Sequence, residues 1–300
     1  MKNKEVQKFI MLPTVDCCFK ELMENPKVRK GFVAALLKLD PKLVKETRLL
    51  PTLLPRNSES DKLGILDVRI LLMNGTQLDL EMQVRYFEYW DERVLFYLTK
   101  MFSEQLKEGE SYDNLKKCIH VSILDFIHYP DDDICYRTIH LLDEATDKLY
   151  SDKLEIQVLE LQKMPKEVKT GDDIIAWMKF FSGKSQEDFE SMANTNEYID
   201  EAYNTLLKLS ADDIKRLEYE ARQKAIRDYN SQINSERRQG ERDGEKRGIA
   251  IGEKRGIAIG EEHGLQLAKR IFKLNTQGKS VEEIASLCDI TIEKVKEILE

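Results

Sequence analysis

Two acidic residues in neighbouring strand-like segments are the best candidates for chemistry in this sequence. Glu81 lies in the middle of the apolar run LDLEMQV, residues 78–84, and Asp67 lies in GILDVRI, residues 64–70. A carboxylate within an apolar segment is costly to bury unless a charged partner meets it. Mg²⁺ is such a partner, since it binds one or two carboxylates together with water and phosphate oxygens. The first question is therefore whether the fold brings these two carboxylates together around a cation.

The loop between the two segments decides whether the acids share a face. The dipeptide NG suggests a two-residue turn, but that turn would pair Val68 with Glu81 and mix apolar with polar side chains. The alternating apolar positions of both strands fall on one face only if the loop holds an odd number of residues. A three-residue loop at 73–75, with Gly75 in the left-handed conformation, meets this requirement. It predicts that Asp67 lies opposite Glu81.

With this register, one face of the hairpin collects six polar residues: Asp67, Arg69, Asp79, Glu81, Gln83 and Arg85. Two interpretations of this face are open. Two carboxylates across a strand pair repel each other, and a divalent cation between them would turn that repulsion into a ligand pair. Alternatively, Arg69 and Arg85 neutralise the acids on a solvated sheet face, as most cross-strand charge pairs do.

The segments around this pair predict an α/β domain with a mixed sheet. Helices are expected at 14–25, with Thr14 as a possible N-cap, at 27–40 and at 88–109, and a linker at 51–62 separates the second helix from the hairpin. Further strands are expected at 116–127, 135–143 and 153–161. The order of helices, hairpin, helix and strands favours a mixed sheet flanked by helices over a helical bundle.

Strand signals vanish after about residue 170, so the rest of the chain is expected to be an all-α extension. We expect a helical extension at 171–239, a glycine-repeat helix or linker at 240–264, and a helix-turn-helix-like hairpin at 265–300. Glycine recurs every fourth residue from Gly240 to Gly264. Each interior glycine weakens a helix by ~1 kcal/mol relative to Ala, which fits a low-complexity connector. The four-residue spacing also places the glycines along one helical face where backbones could approach closely, which fits a helix that pairs with itself.

The terminal hairpin carries a capping box, Ser280 with Glu283, and a second helix that begins at Thr291. That last helix has more acidic than basic residues, which favours protein interaction over contact with phosphates.

Composition sets the class of protein. The chain has 300 residues, 34% of them charged and 41% apolar, with a formal net charge of −8. No global basic field indicates nucleic-acid binding, so contact with DNA would need a local patch or a metal ion. Five cysteines without zinc-ligand spacing predict free thiols. No apolar stretch approaches the ~20 residues of a membrane span, and the first residues lack a signal-peptide core. We expect a cytoplasmic protein without a membrane contact.

An ordered set of motifs resembles the PD-(D/E)XK nuclease superfamily. More narrowly, it resembles the Rpn family of recombination-promoting nucleases, also described as PD-(D/E)XK nuclease family transposases. The likeness is carried by DCCFKELM at 16–23, GILDVRI at 64–70, LEMQV at 80–84, Arg93, Tyr97 and Lys100 at helical spacing, EGESYDNLKKCIHVSIL at 108–124, and LEL at 159–161 followed by Lys163. It spans about residues 11–165. The resemblance implies a restriction-endonuclease-like domain over 1–170.

The resemblance also implies roles for individual residues. Asp67 and Glu81 would be the ligands of Mg²⁺ or Mn²⁺, with the backbone carbonyl of Met82 as a third ligand. Gln83 takes the position of the superfamily lysine, and its amide can orient a water but carries no positive charge. The remaining candidates are Asp16 as an auxiliary acid, and Arg69, Arg85, Arg93 and Lys100 as bases that contact DNA or supply the missing charge.

Two functions follow as expectations. The first is a metal-dependent DNA endonuclease that hydrolyses phosphodiester bonds, and the resemblance implies a role in recombination, mobile elements or phage defence. The second is a catalytically inactive nuclease-fold protein that oligomerises through its C-terminal helices, which the net acidity and Gln83 favour. DNA and a homo-oligomer through the C-terminal helices are the expected partners.

Overall fold

The computed structural model describes residues 9–54, 62–165, 173–194 and 196–300. Most of the predicted linker at 51–62 lies outside these residues. The chain divides into two compact units, one up to Ala225 and one from Ile226 to Glu300.

The first unit is built on a mixed six-stranded sheet, as predicted. Its strands are β1 (Thr47–Leu50), β4 (Val68–Leu72), β5 (Gln77–Gln83), β6 (Cys118–Leu124), β7 (Tyr136–Asp143) and β8 (Lys148–Glu160), and two short strands, β2 (Leu53–Leu54) and β3 (Gly64–Ile65), pair with each other. The spatial order is β1-β4-β5-β6-β8-β7. Strands β5, β6 and β8 run parallel and the other pairs run antiparallel. The carboxyl ends of the three parallel strands therefore meet at one edge of the sheet.

The register of the β4–β5 hairpin confirms the three-residue loop. Arg69 pairs with Asp79 and Val68 pairs with Leu80, so continuing the register by one residue places Asp67 opposite Glu81. Gly75 has a φ of +86°, the left-handed conformation that glycine adopts without steric cost. A Cβ at Gly75 would also lie 2.7 Å from the Lys116 side chain.

The centre of this polar face is buried at Arg69, Asp79 and Glu81 and is therefore not a solvated sheet face, whereas Asp67, Gln83 and Arg85 are partly exposed. Helix α3 (Trp90–Ser103) packs over this face, with Trp90 and Val94 against Leu124 and Val158. The four polar side chains of the central strands β5 and β6 beneath this layer are fully buried: Asp79, Glu81, His120 and Ser122. Polar groups buried to this degree must find partners within the protein or in a bound ligand.

Helices α1 (Asp16–Glu24) and α2 (Pro26–Leu36) confirm the first two predicted helices. Val15 rather than Thr14 is the N-cap of α1, and it makes no side-chain capping bond. Helices α4 (Asp173–Ser182), α5 (Gln186–Ala193) and α6 (Glu197–Ala211) complete the helical layer. An aromatic cluster joins α4 and α5 to α1 and α2, with the Phe32 and Phe181 ring centroids 4.9 Å apart, and α6 packs against α1, α2 and α5. These helices therefore belong to the same compact unit as the sheet.

Helix α7 (Asp213–Thr276) continues as a helix through the glycine repeat. Its residues from Ile226 onward belong to the second unit. Helices α8 (Val281–Cys288) and α9 (Ile292–Leu299) confirm the terminal hairpin, and the capping box of Ser280 and Glu283 is present. Both helices pack on the end of α7 through a small core of Ile271, Ile284, Ala285 and Val295. Within the described residues, no helix is both long and apolar enough to cross a bilayer.

Candidate active site

The acid pair, Asp67 and Glu81, lies beside the start of β4. The β4–β5 pairing stops at Val68 and Leu80, so β5 extends past its neighbour and Asp67 stands just before the first residue of β4. The Asp67 side chain is 22% exposed, whereas that of Glu81 is 1% exposed. The Asp67 carboxylate is therefore partly exposed to solvent, and the Glu81 carboxylate is enclosed.

Glu81 has less positive charge around it than its burial requires. Its Oε2 lies 3.3 Å from a guanidinium nitrogen of Arg93, and its Oε1 has no hydrogen-bond partner among the described residues. Burial is the main cause that raises the pKa of Glu81 well above its usual range. The nearby Asp79 and Asp67 raise it further, and Arg93 opposes them only in part. The fold thus holds a carboxylate in surroundings that disfavour its ionised form.

Asp67 is also a carboxylate whose burial raises its pKa, but it lies nearer the surface than Glu81. Lys20, on α1, places its Nζ 3.0 Å from Asp67 Oδ1. Burial nevertheless raises the pKa of Asp67, and the charges of Asp16 and Asp79 add to that effect against the opposing Lys20. Both members of the pair therefore have too little positive charge around them.

A divalent cation fits this deficit. Mg²⁺ and Mn²⁺ take hard oxygen ligands, and the pair offers two carboxylates, one with a buried oxygen that has no partner. Among the described residues, no group of three or more Asp, Glu, His or Cys side chains could by itself hold a metal ion. A cation at Asp67 and Glu81 would therefore take its remaining ligands from water, the backbone or a substrate phosphate.

A buried chain of polar residues lies beside the pair, and sequence reasoning missed it. His120 Nδ1 lies 2.7 Å from Asp79 Oδ2, and His120 Nε2 lies 3.1 Å from Ser122 Oγ. All three side chains are enclosed beneath α3, with the Trp90 ring packed edge-on to His120. Substrate cannot reach this serine, so the chain is a scaffold and not a nucleophile. The signal in the sequence was the alternation of His120 and Ser122 in β6, in register with Asp79 and Glu81 of β5.

The structure brings Arg93 to the acid pair. Its guanidinium stacks 4.8 Å from the Tyr97 ring centroid and contacts Glu81. Tyr97 itself is buried in the layer between α3 and the sheet.

The other predicted bases contact other groups. Arg69 is buried and binds Glu104 and Gln77, a position that favours a structural role. Lys100 donates to the Lys62 carbonyl oxygen at 3.2 Å. Arg85 donates to the carbonyl oxygen of Ala225 at 3.3 Å.

Asp16 and Gln83 border the site. Asp16 accepts two hydrogen bonds from Arg222, at 2.8 and 2.6 Å. Burial alone would raise the pKa of Asp16, but Arg222 and Lys20 outweigh it, and the net shift is downward. Gln83 is half-buried and follows Glu81 by two residues on the same face of β5. It therefore stands in the strand position predicted for the residue that orients water.

Comparisons with known proteins give a family. No curated protein and no solved structure matches the chain. The family model described as PD-(D/E)XK nuclease family transposase matches residues 13–236, which include the whole sheet, the acid pair and helices α1 to α6. The match covers well over half of the chain, and the mixed sheet flanked by helices agrees with it. The chain therefore belongs to the PD-(D/E)XK nuclease family transposases.

Proposed function

We propose that this protein is a metal-dependent DNA endonuclease that hydrolyses phosphodiester bonds. Membership of the family supports a nuclease-type function and DNA as the substrate. The observation that carries the finer proposal is the Asp67–Glu81 pair. The two carboxylates stand in opposed register positions, and the buried Glu81 keeps one oxygen without a partner among the described residues. A divalent cation would supply the positive charge that the burial of these two carboxylates requires.

Each residue of the site has a separate task in this proposal. Asp67 and Glu81 hold Mg²⁺ or Mn²⁺, and Glu81 is fixed by its burial in the centre of β5. When bound, such an ion polarises the phosphate and makes a bound water more acidic. Gln83 orients the attacking water by hydrogen bonding but cannot offset negative charge. Arg93 stays close enough to Glu81 to contact a phosphate that approaches the pair.

Contact with DNA must be local in this acidic protein. Arg85, Arg93 and Lys100 are candidate phosphate contacts near the site, and the buried Arg69 is not among them. A cation at the acid pair would add positive charge where the local bases are few. Recombination, the movement of mobile elements and phage defence are the proposed settings. The five cysteines are all free, which supports the proposal that the protein works in the reducing cytoplasm.

A second candidate is an interaction protein that keeps the nuclease fold without its activity. Gln83 at the position of the superfamily lysine favours this candidate, as does the formal net charge of −8. It would oligomerise through the glycine-repeat part of α7 and the hairpin of α8 and α9.

Plasmid cleavage separates the two candidates. We expect the purified wild-type protein to nick supercoiled DNA in Mg²⁺ or Mn²⁺, and to lose this activity in EDTA. Asp67→Ala and Glu81→Ala should each abolish cleavage, because each removes one of two carboxylate ligands. Asp152→Ala, at an exposed position of β8, is the matched control and should cleave like wild type. Cleavage that survives both substitutions would contradict the proposal, and a wild-type protein that neither binds metal nor cleaves would favour the interaction protein.

A further inference from the structure

Lys20 is a basic residue at the acid pair to which the family resemblance assigns no role. It stands on α1 one turn after Asp16, and its Nζ lies 3.0 Å from Asp67 Oδ1. The Lys20 side chain is 41% exposed, so this ion pair lies at the solvent side of the site. Ion pairs with this much exposure contribute little to stability. Lys20 can therefore exchange Asp67 for another anion at low cost.

The other bases near the pair are less free to move. Arg93 is held between the Tyr97 and Trp90 rings and the enclosed carboxylate of Glu81. Arg222 is engaged by both oxygens of Asp16. Gln83 carries no charge. Lys20 combines a positive charge, a flexible stem of four carbons and an exposed position beside a proposed metal ligand.

We propose that Lys20 is an exchangeable counterion, which neutralises Asp67 in the metal-free protein and moves to the scissile phosphate when Asp67 holds a divalent cation. The inference rests on the proposed nuclease function. An ammonium and a divalent cation repel each other at the same carboxylate, so a cation bound at Asp67 weakens its ion pair with Lys20 and favours the release of Lys20. In a complex with DNA, a backbone phosphate would then be the nearest anion available to the Lys20 ammonium. In that position Lys20 supplies the positive charge that Gln83 lacks, and it stabilises the negative charge that develops on the phosphate oxygens.

Replacement of Lys20 should change metal affinity and cleavage in opposite directions. In Lys20→Met, we expect the DNA-free protein to bind Mn²⁺ about threefold to tenfold more tightly, because a competing positive charge is gone. Plasmid cleavage at saturating Mn²⁺ should fall on the order of 10²-fold, because the phosphate loses a charged donor. Isothermal titration calorimetry with Mn²⁺ alone measures the first effect, and the rate of supercoil loss measures the second. Structural damage would weaken both properties together.

Two further variants make the test specific. Lys27→Met removes a lysine of similar exposure, 43%, whose ion pair with Glu197 is 3.1 Å long, and both properties should stay at the wild-type level. Lys20→Arg keeps the charge and should restore most of the cleavage with nearly wild-type Mn²⁺ affinity.

The inference is overturned if Lys20→Met behaves like Lys27→Met in both measurements, or if it loses Mn²⁺ affinity. Should Lys20→Met fail to fold by circular dichroism, Lys20→Gln is measured in its place against the same outcomes. If Asp67→Ala abolishes cleavage while Lys20→Met behaves like wild type, the nuclease proposal stands and only the role of Lys20 fails. If the wild type neither binds Mn²⁺ nor cleaves DNA, both fail together.

Discussion

Glu81→Gln is expected to lower the rate of plasmid cleavage on the order of 10³-fold and to leave the fold at least as stable as wild type. The loss of rate follows from the loss of a charged ligand, since a bound cation contributes several kcal/mol of transition-state stabilisation and ~4 kcal/mol corresponds to about 10³-fold. The gain in stability follows from the burial of Glu81, whose Oε1 has no partner among the described residues. A neutral amide of nearly the same shape avoids the cost of an enclosed charge.

Thermal unfolding and cleavage should be measured on the same preparation of Glu81→Gln. Because 1 kcal/mol shifts the melting temperature of a domain of 150–250 residues by about 2–4 °C, we expect an increase in melting temperature of that size in metal-free buffer. Glu92→Gln, at an exposed position of α3, is the control and should change neither quantity. A Glu81→Gln protein that unfolds at a clearly lower temperature would show that the carboxylate stabilises the fold. In that case, its burial could not be explained by function.

Glu160→Ala is expected to lower the free energy of unfolding by about 3–5 kcal/mol, the cost of breaking a buried ion pair. Glu160 is fully buried at the end of β8. It accepts hydrogen bonds from the backbone N–H groups of His128 and Tyr129, at 2.7 and 3.1 Å, and its other oxygen lies 2.9 Å from Lys163 Nζ. The alanine would leave the two backbone N–H groups without this acceptor in a site that water reaches poorly, and Lys163 would keep only the Tyr129 carbonyl oxygen and Asp132.

Urea unfolding measures this effect, with Glu144→Ala in the exposed β7–β8 turn as the control that should change little. Lys163→Met tests the cause, because it removes the partner charge and should destabilise the protein through the same pair. If Glu160→Ala unfolds at the same urea concentration as wild type, the contacts of Glu160 with His128, Tyr129 and Lys163 do not stabilise the loop after β6. A role of Glu160 at the carboxyl edge of the sheet would then need to be considered.

The hairpin that carries the acid pair could be predicted from the sequence because its determinants are local. Apolar residues alternate along both β4 and β5, and a shift of one residue would turn them all to the other face. Gly75 marks the position that needs a positive φ. Together these features predicted that Asp67 and Glu81 are opposed. The capping box of Ser280 and Glu283 was predictable for the same reason.

The surroundings of the pair could not be predicted, because they depend on contacts between residues far apart in the chain. The sequence shows that β5 has a polar face but not that α3 covers it, and so a solvated face and a buried one looked alike. Lys20 reaches Asp67 from a helix 47 positions earlier in the sequence, and no local pattern records that approach. The short strands β1 and β2 were also missed, since the four residues of β1 carry too little alternation to indicate a strand and the two residues of β2 lie within the segment predicted as a linker.

A crystal of the protein soaked in Mn²⁺ tests the central claim most directly, because manganese can be located by its anomalous scattering. The account predicts an anomalous peak within about 2.0–2.5 Å of carboxylate oxygens of both Asp67 and Glu81, the range of bonds between oxygen ligands and divalent cations. The same peak should be absent from crystals of Asp67→Ala. A protein that cleaves DNA in Mn²⁺ while its manganese is bound by other residues, with no peak at this pair, would contradict the account.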